Sequence, residues 1–161
     1  MRNVFKLFMT ACLLVSVAMT GVAQKDYSKS EGLLKYVDPY IGSGFHGHVF
    51  VGTSVPYGMV QVGPNNIHKG WDWCSGYHYS DSILIGFSQT HLNGTGCTDL
   101  GDIMIMPMNE IRTERGKQSD ISNGYASKYS HENEIARPEY YSLLVERYNI
   151  KAEMTATDRV G

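Results

Sequence analysis

A mostly β domain is predicted over residues 36–161, and three observations predict it. Twelve of the seventeen glycines lie between Gly42 and Gly101, with Pro56 and Pro64 inside that stretch and Pro39 just before it. Helices tolerate neither residue well. The apolar runs are short and bounded by turn residues, as strands are. The clearest periodicity in the chain is two: Ile150, Ala152, Met154 and Ala156 alternate with Lys151, Glu153, Thr155 and Thr157. That alternation marks a strand with one buried and one wet face.

The elements follow in order along the 161 residues, a length that suits one domain or part of one. Arg2 and Lys6 give a positive start, Leu7 to Ala18 is apolar apart from Thr10 and Ser16, and Gly21-Val22-Ala23 is a run of small residues ending before Gln24. Residues 1–23 therefore read as a secretory signal peptide cleaved after Ala23. The apolar run is short for a membrane anchor, and Cys12 sits inside it rather than at its end, which argues against a lipoprotein. Residues 24–35 are polar and read as a linker or flexible arm. Met59 to Val62, Ile83 to Ser88 and Ile103 to Met106 read as strands. Glu110 to Gly124 is charged and polar and reads as an exposed loop. Tyr140 to Val145 and the alternating segment after it form an antiparallel hairpin across a short polar connection. Asp158 to Gly161 carry no stop signal, and the half-buried strand before them needs further partners.

Charge and cysteine usage narrow the function. Without Arg2 and Lys6 the 14 basic side chains become 12 against 16 acidic ones, a formal charge of −4. No basic block remains, so nucleic acid is excluded as a partner class, and no other segment is long and apolar enough to span a membrane. Beyond the signal the chain keeps Cys74 and Cys97. An exported protein can pair them, and two free, buried thiols in glycine-rich loops are the equal alternative.

The chemistry concentrates in GWDWCSGYHYSDSILIGFSQTHLNGTGCTDLGD, from Gly70 to Asp102. Two tryptophans, two cysteines, two histidines and four aspartates share these thirty-three residues, a mixture that a packed core does not need. Aromatic faces stack on pyranose rings, Asp and His bond hydroxyls, and Gly lets backbone approach closely. Asp72, Asp81, Asp99 and Asp102 could supply the acid and base of glycoside hydrolysis; equally, Asp in glycine-rich turns bonds nearby backbone N–H groups. Trp71 and Trp73 point to opposite faces of an extended segment, so either one is a sugar platform or both are core. His91 with Asn93-Gly94-Thr95-Gly96 offers donors to a hydroxyl; Asn93-Gly94-Thr95 also matches a glycosylation sequon by coincidence. His46-Gly47-His48 places two imidazoles on one face, and Cys74 with His78 makes another pair, but a metal needs further ligands. These residues leave open a carbohydrate-active enzyme, a non-catalytic carbohydrate-binding module, and a structural β-domain that docks on another chain.

Three blocks narrow the choice by resemblance: VDPYIGSGFHGHVFVGTSVPYGMVQVGP (37–64), GWDWCSGYHYSDSILIGFSQTHLNGTGCTDLGDIMIMP (70–107) and YYSLLVERYNIKAEMTATDRVG (140–161). They resemble the N-terminal region of glycoside hydrolase family 92, the calcium-dependent exo-α-mannosidases. The resemblance implies an N-terminal β-sandwich, here incomplete, followed in the family by an (α/α) barrel. It implies hydrolysis of terminal α-linked mannose with inversion, of α-1,2-mannosidase type. The substrate would be an α-mannoside or the mannose termini of N-glycans. Inversion needs an acid and a base separated by roughly 6.5–9.5 Å, and the family takes both from the barrel. The fragment alone is therefore expected to be inactive, with no catalytic residue of its own. The matching positions Trp71 to Cys74 and His91 to Asp102 would line the terminal-mannose subsite, with Trp73 as platform and His91, Asp99 and Asp102 bonding hydroxyls or fixing loops. Calcium is implied, with no ligand assignable in this chain. The expected location is the periplasm or surface of a Gram-negative bacterium.

Overall fold

The computed structural model describes residues 31–161; the expected signal peptide and residues 24–30 of the expected arm lie outside them. Within the rest of that arm, Glu31–Leu34 form a single helical turn, α1. Residues 36–161 form a separate compact unit.

That unit holds two antiparallel three-stranded sheets, ordered β1-β2-β3 and β4-β5-β6. β1 is Gly63–Asn66, β2 Ile83–Ser88 and β3 Ser127–Lys128. β4 is Glu134–Arg137, β5 Tyr140–Val145 and β6 Ile150–Met154. The mostly β reading holds, and β2 and the β5–β6 hairpin lie where the sequence places them. The hairpin turns through a 3-10 turn at Glu146–Tyr148 and a left-handed Asn149, φ 52°. In β6, Ile150, Ala152 and Met154 are half-buried while Lys151 and Glu153 are exposed. The 110–124 loop is mostly exposed and closes on itself through Lys117 and Asp120. Arg147 pins its far end by donating to the carbonyls of Ile121, Ser122 and Ala126.

Two expected strands move. The first sheet begins at Gly63, not Met59. Met59 N–H donates to Asp158 and Gln61 N–H to Gln89, so residues 59–61 form single bonds rather than a ladder. The actual strand, Gly-Pro-Asn-Asn, is fully buried. Its asparagine amides find partners inside: Asn65 bonds Ser88 Oγ, and Asn66 donates to Ile83 O at 2.9 Å and to Tyr129 Oη at 3.2 Å. A pattern based on apolar residues passes over such a strand. Ile103 to Met106 is likewise no strand. Only Ile105 pairs, with Phe87, at 2.8 Å in each direction. Leu100 and Ile103 adopt φ of 64° and 52°, a region that bulky residues enter only where the chain turns sharply.

Both sheets feed one core of Val51, Tyr77, Leu84, Phe87, Tyr141 and Leu143, joined by Tyr129, Val145 and Tyr148. Its phenols are arranged around a buried carboxylate. Glu134 accepts from Tyr141 Oη at 2.6 Å, Tyr77 Oη at 3.1 Å and His131 Nδ1 at 2.5 Å. Burial pushes the pKa of both phenols up, so they stay protonated and donate. His131 Nε2 meets Tyr79 O at 2.7 Å. A carbonyl only accepts, so Nε2 is the donor there. Tyr77 and Tyr79 belong to the Gly70–Asp102 block, and Glu134 opens β4. This network therefore ties the block to the second sheet.

Candidate functional site

The block does not run extended through its tryptophans. From Gly70, at φ 132°, residues Trp71–Trp73 wind into a 3-10 turn, continued by Gly76 N–H donating to Trp73 O at 3.0 Å. The two indoles therefore do not take opposite faces of a strand. Trp73 is held on all sides. Its Nε1 donates to Asp81 at 2.8 Å, its ring stacks on His78 at 4.3 Å and 22°, and Lys69 Nζ stands 5.2 Å from its centroid. Lys69 also pairs with Asp81 at 2.8 Å. Asp81 is buried, and its other oxygen accepts from the N–H groups of Ser82 and Ile83. The open aromatic face belongs instead to Trp71, 56% exposed.

Trp71 stands beside the His46-Gly47-His48 loop. The His48 ring meets it edge-on at 4.2 Å and the His46 ring lies at 5.1 Å. His46 Nδ1 donates to Asp72 Oδ1 at 2.5 Å, and that bond holds the Asp72 carboxyl below the ordinary aspartate range, so it is ionised at neutral pH. Gly96 passes under the indole: a Cβ there would stand 2.5 Å from Trp71 Nε1. The 91–102 loop is tied to this surface at two points. Gly94 N–H donates to His48 O at 2.7 Å, and the buried Cys74 thiol donates to Thr95 O at 2.8 Å. Burial raises the Cys74 pKa, which keeps the thiol protonated. Cys74 and Cys97 are both free in this structure, but only Cys74 is buried; Cys97, expected to be buried as well, is exposed on the loop.

His91 lies under the loop, in the core rather than on its surface. Its Nδ1 donates to Gln61 O at 2.8 Å and its ring stacks on Phe50 at 5.6 Å. Its Nε2 is then a lone pair, buried and without a partner. Gly76 makes room for it: a Cβ there would stand 2.8 Å from His91 Cδ2 and 2.6 Å from Asn65 Oδ1. Burial lowers the His91 pKa against the smaller opposing pull of the Gln61 carbonyl, so the ring is neutral. The unfolded chain takes up a proton at higher pH than the native one, so stability drops as pH falls through the ordinary histidine range. Urea unfolding at pH 7 and pH 5 is expected to show this loss, and His91→Gln is expected to flatten it.

The exposed aspartates act on their own loop. Asp99 accepts from Leu100 N–H at 2.8 Å, and Asp102 meets Thr90 Oγ1 at 3.4 Å. Of the expected site residues, the structure gathers Trp71 and Cys74 around Asp72, His46 and His48. It sets Trp73 apart with Asp81 and His91 inside with Asn65. The two loop histidines were visible as a motif; their meeting with Asp72 was not, because a contact across 26 residues leaves no local pattern. The surface is an open wall. A cavity of about 600 Å³ lies elsewhere, lined by Gln118–Ser122, Ile83, Lys128, Glu146 and Arg147.

Calcium takes about six to eight oxygen ligands. Among the described residues no group of three or more His, Cys, Asp or Glu side chains is placed to hold a metal ion. Asp72, bordered by imidazole nitrogens, offers a hard cation a single carboxylate. The described residues do not fit calcium. No helix among them is long and apolar enough to cross a membrane.

Comparison with known proteins places the chain in a family. Residues 36–161 match the model of the glycosyl hydrolase family 92 N-terminal domain. A family GH92 α-mannosidase from Bacteroides thetaiotaomicron, solved alone and with mannoimidazole, is 42% identical over 80% of this chain and 17% of its own, with a TM-score of 0.76. A family GH92 inverting mannosidase from the same organism is 26% identical over 78% of this chain and 17% of its own, with a TM-score of 0.57. An uncharacterized secreted glycosidase of Arthroderma benhamiae is 31% identical over 130 residues, 80% of this chain and 16% of that protein. The chain thus spans about a sixth of the length of these relatives. It belongs to glycoside hydrolase family 92 and carries, in residues 36–161, that family's N-terminal domain.

Proposed function

We propose that residues 36–161 form the sugar-facing wall of an exported α-mannosidase that hydrolyses terminal α-linked mannose, of α-1,2 type. The observation that carries this reading is the exposed Trp71 face set beside the ionised Asp72 carboxylate and two imidazoles, the pairing of apolar face and hydroxyl-bonding groups that a pyranose needs. The names of the solved relatives support mannose as the sugar. The Arthroderma relative is named as secreted, in keeping with the signal-like start, and the periplasm or surface of a Gram-negative bacterium is the proposed location. Trp71 takes the platform role in place of Trp73. Cys74 orders the wall by tethering the 91–102 loop, and Asp99, Asp102 and His91 shape that loop.

The acid and base would come from an (α/α) barrel domain of the enzyme. Asp81, Asp99 and Asp102 are engaged with their own turns and loops, which supports a wall without catalytic carboxylates. The calcium implied by the resemblance would be held outside residues 31–161. The test is mannose release from α-1,2-mannobiose with calcium present. This chain is expected to release none, and the protein extended to the relatives' length is expected to turn over. Turnover by this chain overturns its inactivity. No turnover by the extended protein favours the alternative of a non-catalytic binding module, which the lone Trp71 face also suits.

A further inference from the structure

We propose that the cavity bounded by β3, the Glu146–Tyr148 turn and residues 118–122 binds a small zwitterion of the dipeptide class, its carboxylate on Arg147 and Lys128 and its ammonium on Glu146. The site goes beyond the mannoside reading and shares no residue with the wall described above.

Three elements build the cavity. Ile83 of β2 and Lys128 of β3 are cross-strand partners and line one side. Ser127 is buried and Lys128 exposed, so the alternation of the strand turns the lysine away from the core. Glu146 and Arg147 line a second side. Arg147 N–H donates to Ser127 Oγ at 2.9 Å, which seats their turn on β3. Residues 118–122 close the third side. They belong to the 110–124 loop, and a loop of that length without strands is usually functional or disordered. This one is closed by its own backbone. Tyr125 N–H donates to Glu114 O at 2.7 Å and Ala126 N–H to Arg115 O at 3.1 Å. Gly124 passes so near Arg115 that a Cβ would stand 2.2 Å from the Arg115 oxygen.

The lining carries both signs of charge, Arg147 and Lys128 against Glu146 and Asp120. Yet the two signs do not neutralise one another. Among the described residues, neither Arg147 nor Lys128 has a carboxylate within ion-pair distance. Their other bonds hold the groups apart. Arg147 Nε, Nη1 and Nη2 donate to the carbonyls of Ala126, Ser122 and Ile121 at 2.9, 3.2 and 2.7 Å. Those bonds fix the guanidinium and leave two of its five N–H groups for a ligand. Asp120 faces its own turn, with Oδ1 accepting from Ser122 N–H at 2.9 Å. A fixed guanidinium fork matches a carboxylate, Lys128 adds a second cation, and Glu146 is left to take an ammonium. A ligand with one charge only would meet repulsion from the groups of its own sign, so the balanced lining favours a zwitterion over an anion. Ile83 and Ile121 give small side chains an apolar contact. The volume of about 600 Å³ lies within the roughly 300–1,000 Å³ of small-molecule sites.

The test is a ¹H–¹⁵N titration of the whole chain with alanyl-alanine, set against N-acetylalanyl-alanine and alanyl-alaninamide, which lack the ammonium and the carboxylate respectively. Alanyl-alanine is expected to move the amides of residues 118–122, 128 and 146–147, with an affinity on the order of 1 mM, while those of residues 46–48 and 94–96 stay in place. Blocking either end is expected to weaken binding about tenfold. Lys128→Met and Glu146→Gln change exposed side chains and are each expected to weaken it about two- to fivefold. Blocked probes that bind as well as alanyl-alanine, variants that bind it unchanged, or amides of residues 118–122 that do not move each overturn the proposal. All of these results leave the mannoside reading standing, because methyl α-mannoside tests it at a different surface.

Discussion

Glu134→Ala is expected to destabilise the domain by about 3–5 kcal/mol, the usual cost of removing one member of a buried charged network. The carboxylate is the common acceptor for Tyr77, Tyr141 and His131. Its loss leaves two buried phenols without that acceptor and removes the partner of His131 Nδ1. Filling the space with leucine is not expected to rescue the fold, because those donors remain unmatched. Glu134→Gln is expected to cost less, since its carbonyl oxygen can still accept from Tyr141. Urea unfolding followed by tyrosine fluorescence measures both. The effect should also reach the candidate site. Tyr77 and Tyr79 are held by this network, so heat or urea should release the Gly70–Asp102 block together with the second sheet, in one transition.

The second large effect is expected at Gly76. Its φ is 85°, and a Cβ would stand 2.6 Å from Asn65 Oδ1 and 2.8 Å from His91 Cδ2. Both neighbours are fixed, Asn65 by its bond to Ser88 and His91 by its bond to Gln61. Left-handed backbone costs a non-glycine residue roughly 1–2 kcal/mol, and overpacking in a tight interior adds roughly 1–3 kcal/mol. Gly76→Ala is therefore expected to lose about 2–5 kcal/mol in urea unfolding. His91→Ala in the same chain is expected to recover part of that loss, because it opens the space the new methyl needs. Loss without recovery would assign the cost to the backbone and to the clash with Asn65.

The parts of this fold that were legible in the sequence are those built on local pattern. The period-two residues of β6 face as their alternation requires, and β5 pairs with it across the expected short turn. β2 is a compact apolar run and was readable as one. The parts that were not legible depend on polar groups finding partners far away. Asn65 and Asn66 read as turn residues, yet they sit buried in β1 because Ser88, Ile83 and Tyr129 complete their hydrogen bonds. Ile103 to Met106 has the composition of a strand, but positive φ at Leu100 and Ile103 breaks its pairing after one residue. The candidate site divides in the same way. The block that holds it was visible from composition. Which tryptophan stays open was decided by Asp81, eight residues from Trp73 and buried, which draws that indole inward. The family itself was legible, because long motif blocks survive where single contacts cannot be inferred.

The central claim is that residues 36–161 present a mannose-facing wall centred on Trp71 and Asp72. It is tested most directly by the backbone and indole ¹H–¹⁵N spectrum of the chain during titration with methyl α-mannoside. The account predicts that the Trp71 indole moves with the amides of residues 46–48 and 94–96, while the Trp73 indole stays in place. Movement confined to the Gln118–Ser122 cavity, or a spectrum unchanged by the sugar, would contradict it.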